Sequence, residues 1–182
     1  MSCTTLTSGR SIDCRNSAGG VKALYFVPFN DAVIVRAAGE VTDLDCTSIF
    51  KYNLKRGMAS ITESIVGSTD NGSIYYTQAV NMKLHKLTKR DQAEITLLAG
   101  QRVVIFAELN QTVDSGNNAI FCLGADNGLE LNAGTNTSGQ GLADANGYDW
   151  NFDGMELSPM SIVADYPAAG PFTNTDFTGT VV

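Results

Sequence analysis

No basic residue follows Arg102. All twelve Lys and Arg of this 182-residue chain lie between Arg10 and Arg102, whereas residues 103–182 hold ten of the nineteen acidic side chains and no cation. The formal net charge is -7, and a sequence pI of about 4.5 argues against sequence-specific duplex binding, which needs clustered cations against phosphate. Charge separated in this way along a chain marks an attracting or a repelling surface. Charged residues are also few, at 17%, and proline occurs only four times, against eighteen glycines and 43% hydrophobic residues. That balance excludes disorder, coiled coil and a soluble helical bundle, and it suits strands joined by turns. Long apolar runs are missing as well. The longest, such as 103–107, fall far short of the ~18 residues of a membrane span, so none is expected. Residues 1–15 show neither an apolar core behind basic residues nor a small-residue cleavage site, which predicts maturation in a cytoplasm.

The chemistry-bearing residues are equally sparse. Cys3, Cys14, Cys46 and Cys122 have no C-x-x-C spacing and are expected as thiols of a reducing compartment. With His85, the one histidine, they would have to converge from distant segments to bind zinc, so no metal is expected. His85 lies between Lys83 and Lys86 on the wet face of a predicted strand, whereas a general base needs shelter and an orienting carboxylate. No catalytic residue emerges, and the chain is not expected to be an enzyme. The glycines at 134, 139 and 141 have P-loop spacing without the lysine and hydroxyl that hold phosphate and magnesium, and no cofactor is expected. Asp149, Asn151 and Asp153 followed by Gly154 match the first half of a calcium loop, but position twelve is Met160 rather than a glutamate. Their alternation with Tyr148, Trp150 and Phe152 instead predicts a strand with an acidic face, ended by Gly154.

What is present is period-two patterning. Ile74, Tyr76, Gln78, Val80, Met82 and Leu84 alternate with polar positions and predict a long strand. With the segment 59–66 and a turn from Gly67 through Asn71 and Gly72, they predict a hairpin over about 58–87. Thr88 and Asp91 resemble a capping box and Gly100 supplies a stop, so one helix is expected over 89–98, with Ala93, Ile95, Leu98 and Ala99 as its apolar stripe. Residues 102–109 are apolar on both faces, the mark of a strand covered on both sides. Further strands are expected at 21–27, 32–35, 49–54, 119–123 and 148–152, with a polar loop at 132–141. The expected architecture is a mainly-β fold, a β-sandwich or barrel of long hairpins with one flanking α-helix. It forms a single domain over 1–165, and an extended or disordered arm over 166–182 would order on a partner.

The order of long strand, capped helix at 88–98, buried strand at 103–110, second hairpin, glycine-rich loop and the final segment 147–156 resembles virion structural proteins of tailed bacteriophages with the tail-tube type of fold. The resemblance covers roughly 61–159. It implies a subunit that assembles into rings, commonly hexameric, stacked into a conduit for DNA, located in the virion after assembly in the host cytoplasm. Its partners would be copies of itself and other tail or neck proteins, with DNA passing without tight binding; a neck, ring or tube-terminator protein is a neighbouring possibility. An acidic lumen would repel the phosphate backbone. The hairpin tip at Gly67, Asn71 and Gly72, and a basic region of Lys83, Lys86, Lys89 and Arg90 facing C-terminal carboxylates, are the expected oligomer interfaces. The alternative is a monomeric carbohydrate-binding β-sandwich with Trp150, Tyr148, Tyr75 and Tyr76 as stacking candidates; the alternation of Trp150 with acids favours a core position instead.

Overall fold

In a computed structural model, which describes residues 9, 18–113, 115–167, 170–173 and 176–182, the chain is mainly β with two sheets and one helix. Cys3 and Cys14 lie outside the described residues. The first sheet contains β1 (Val21–Pro28), β2 (Val33–Ala37), β3 (Glu40–Asn53), β6 (Val103–Thr112), β7 (Asn118–Leu123), β10 (Ser161–Val163) and β11 (Phe177–Val181). The pairing order β1-β6-β7-β10-β3 returns to β1 through Phe26 opposite Phe50, so these strands close into a small barrel and abolish most of their edges. Long β3 makes this possible: β1 and β2 share one of its edges, and β10 and β11 run parallel along the other.

The second sheet is open, in the order β4 (Ala59–Ser68), β5 (Ser73–His85), β9 (Gly147–Glu156), β8 (Glu130–Thr137), and every pairing in it is antiparallel. It lies over the β1-β6 side of the barrel. One core fills the space between the layers, with Leu24, Phe26, Val103 and Ile105 meeting Val80, Met82, Trp150 and Phe152. A second core fills the barrel, from Tyr25, Val104, Phe106, Leu44 and Ile49. The double-faced apolar pattern of β6 thus has a direct cause, since its alternate residues enter different cores.

The helix α1 spans Lys89–Leu98. Thr88 caps it, accepting from the Asp91 N–H at 3.1 Å while its hydroxyl donates to the Asp91 carboxylate at 2.7 Å. Only Leu98 is buried and Ile95 half-buried, whereas Ala93 and Ala99 are exposed, so the stripe is narrower than the sequence suggests. Two expectations need correction. The polar loop expected at 132–141 is strand β8 as far as Thr137, because its backbone pairs with β9 and a side chain at Gly134 would stand 3.0 Å from the Trp150 ring. The expected arm is instead part of the domain where it is described: Phe172 and Phe177 are buried in the barrel, and Phe177–Val181 pairs with β3.

Candidate assembly interface

The open sheet carries most of the residues singled out in the sequence, and it has two unlike ends. At one end is the β4-β5 hairpin, whose strands pair without a break from Ala59 opposite Met82 to Ser68 opposite Ser73. Asn71 and Gly72 do not form the whole turn. The loop is 69–72, with Gly72 in the left-handed region at φ 60 and Ser68 Oγ accepting from the Asn71 N–H. Gly67 sits on the last rungs, opposite Ile74. Neighbouring β9 stops pairing at Tyr76 opposite Glu156, so three further rungs extend as a bare two-stranded ribbon.

Along the inner face of this ribbon the chemistry changes abruptly. Ile61 and Val80 belong to the interlayer core. The next rung is Glu63 opposite Gln78, and Gln78 is only 1% exposed. Its amide donates to Glu63 at 2.9 Å and accepts from the Gly124 N–H at 2.9 Å, while Glu63 also accepts from the Met160 N–H at 2.6 Å. This polar rung seals the core. Beyond it the face turns apolar again, and Ile65 and Ile74 are 66% and 60% exposed. Val66, Met155 and Leu157 are exposed nearby.

A second polar group braces the same end. Buried Glu156 accepts from the N–H groups of Asp126 and Asn127 at 2.6 and 3.1 Å. Burial pushes its carboxyl above the ordinary value despite those donors. Asp126 pairs with Arg36 and accepts from Ser158; burial opposes its ionisation, but these partners outweigh it and hold the carboxyl low.

The opposite end carries the expected basic residues. Lys83 is on the outer face, 2.9 Å from Asp149, and is the first cause of that carboxyl's lowered pKa. Lys86, at φ 70, follows β5, and Lys89 and Arg90 are exposed in the first turn of α1; no ion pair involves these three among the described residues. Exposed Lys55 and Arg56, which the sequence reading passed over, precede β4 at this end. Their signal was only proximity to Met58, whose carbonyl accepts from the Lys83 N–H at 2.7 Å. His85 is exposed at the last β5-β9 rung, opposite Gly147. A cleft of about 280 Å³ opens here, walled by Met58, Leu84, Thr135, Thr137, Ala145 and Tyr148.

The outer face of the sheet presents Ser60, Thr62, Thr77, Ala79, Asn81, Asn151 and Thr135, together with Lys83, Glu130, Asp149 and Asp153. Asp149 and Asp153 lie four residues apart on a continuous strand, roughly 13 Å along it, and β9 runs past Gly154 to Glu156, so no calcium loop forms there. Trp150 and Tyr148 are 0% and 3% exposed, and Tyr75 and Tyr76, being consecutive in β5, point to opposite faces; the four do not form a stacking platform. Among the described residues no helix is long and apolar enough to cross a membrane.

No family model matches this chain, and neither a curated protein nor a solved structure matches it.

Proposed function

We propose that the chain is a self-assembling structural subunit of the tail-tube kind, forming rings through its open sheet and stacking them into a conduit for DNA in a phage virion. One observation carries the reading. The sheet β4-β5-β9-β8 has two free edges that run in opposite directions, because three antiparallel pairings separate β4 from β8. Strand β4 of one copy therefore meets β8 of the next in antiparallel sense without either copy being inverted, a heterologous contact that closes into a ring when the rotation allows. Solvent-exposed edges are guarded by lysine, proline, bulges or inward charges. No lysine or proline occurs in Ala59–Ser68 or in Glu130–Thr137, where one inward carboxylate, Glu63, and one register shift, between Leu131 and Ala133, are the guards present.

The outer face supports the conduit part of the proposal. Its middle is built from small polar side chains, with Tyr75, Val66 and Met155 toward the hairpin, and its three carboxylates outnumber its one lysine, so a bore lined by it repels phosphate and lets DNA slide. Negative-stain microscopy and sedimentation of the purified protein across a concentration series test the reading. Rings with a central hole are expected at high concentration. A single species near 19.3 kDa at every concentration overturns it.

A further inference from the structure

Resting on the self-assembly reading, we infer that rings join end to end by seating the β4-β5 hairpin tip of one copy in the cleft at the far end of the same sheet in a second copy. The ribbon behind the polar 68–73 turn is apolar for no intramolecular reason. The buried Glu63-Gln78 rung already ends the core, yet Ile65 and Ile74 follow it on the same face at 66% and 60% exposure. Exposed β-branched side chains in such a ribbon are a standing aggregation hazard unless a partner covers them. The cleft is the matching feature. It lies at the other end of β5, roughly 40 Å away for a strand of 13 residues, and its walls include Met58, Leu84, Ala145 and Tyr148 together with the polar Lys83, His85, Asn146 and Asp149. About 280 Å³ is room for one or two aliphatic side chains.

Charge selects a second copy as the occupant. The tip end carries Asp70 in the loop, with Glu63, Glu130 and Asp153 on the rungs behind it. Among the described residues the cations near them are Arg36, which Asp126 pairs, and Arg102, which donates to the Asn127 carbonyl and lines a pocket with Glu130. The cleft end gathers Lys55, Arg56, Lys83, Lys86, Lys89 and Arg90, half of all the cations in the chain, against Asp91, Glu94, Asp144 and Asp149. Translating one copy along its own strand direction therefore brings an acidic turn backed by Ile65 and Ile74 onto a cleft at the end of the sheet where the basic residues outnumber the acidic ones. The two patches differ, so the contact is heterologous and propagates as a stack instead of closing as a dimer.

The test compares the wild type with two variants, one on each side of the contact. Ile65→Ser with Ile74→Ser removes the knob from an exposed ribbon, and Ala145→Trp fills the cleft from its loop wall. Both are expected to yield single rings where the wild type yields stacks, with stacking weakened at least about ten-fold for each isoleucine lost. Asp70→Lys should shorten stacks at low salt, and adding Lys86→Glu should restore them. Stacks of wild-type length from both the tip and the cleft variants overturn the inference, as does a wild type that forms rings and never stacks. A wild type that stays monomeric overturns the ring reading, and the inference falls with it. Circular dichroism of each variant separates lost stacking from lost folding, and a tip variant that is folded yet monomeric moves the hairpin from the stacking contact to the ring contact.

Discussion

Replacing Trp150 by alanine is the sharpest test of the packing. The indole is 0% exposed, lies 5.0 Å from the Tyr148 ring, and donates through Nε1 to Asn136 Oδ1 at 3.3 Å. It fills the middle of the interlayer core opposite residues of β1 and β6, and β8 has a glycine at 134 because any side chain there would meet the ring. Neighbouring backbone is paired on both sides, so the hole left by truncation cannot collapse. A loss of about 3 to 5 kcal/mol follows, out of a typical ~5 to 15. At ~2 to 4 °C per kcal/mol for a chain of this size, Tm should fall by about 6 to 20 °C in a thermal melt followed by circular dichroism. Trp150 is the single tryptophan, so wild-type fluorescence reports on this position alone. Blue-shifted emission that iodide hardly quenches is expected. Red-shifted, fully quenchable emission, or a Tm change under about 2 °C in Trp150→Ala, would refute the core placement and return the carbohydrate-binding reading to the front.

Two further outcomes follow from individual contacts. Gly147→Ala would put a Cβ 1.9 Å from the Leu84 carbonyl oxygen, at φ 156, and backbone held in the β5-β9 ladder has nowhere to go; a loss of at least about 2 kcal/mol is expected in urea melts, and wild-type stability would show that the strand end frays. Glu156 has its folded pKa raised above 4.5 by burial, so its contribution favours folding below that value and is lost as pH rises through the folded pKa. Glu156→Gln should remove that loss. The stability of the wild type relative to the variant then declines from about pH 4.5 upward, and parallel stability curves would show that the carboxyl is not burdened by burial.

How much of this was legible beforehand depended on whether a residue's neighbours were local. The capped helix at Lys89–Leu98 and the hairpin around Ser68 and Ser73 were readable because a cap, a stop and a turn are each made within a few residues. Strand β6 was readable because both its faces are apolar, and Trp150 because it alternates with acids. Strand β8 was not, because a mostly exposed edge strand of Asn, Ala, Gly and Thr has no periodicity to detect, and only β9 and the Trp150 ring beside it define its conformation. Strand β11 was hidden for a related reason: Phe172 and Phe177 find their burial in a barrel whose strands come mostly from distant parts of the chain, among them β1, β3, β6 and β7.

The sequence by itself determined the class of the fold, the single helix, the long hairpin and the one-sided distribution of charge, all of which depend on composition and short-range spacing. Tertiary structure alone decided three things. It closed one sheet into a barrel and left the other open, since closure depends on Phe26 meeting Phe50 across the chain. It buried Gln78 against Glu63, turning an unremarkable glutamine into the seal that separates the core from an exposed apolar tip. And it brought Lys55 and Arg56 to the end of the sheet where the neighbouring Lys86, Lys89 and Arg90 lie, because the register of antiparallel strands brings together residues that sequence distance keeps apart.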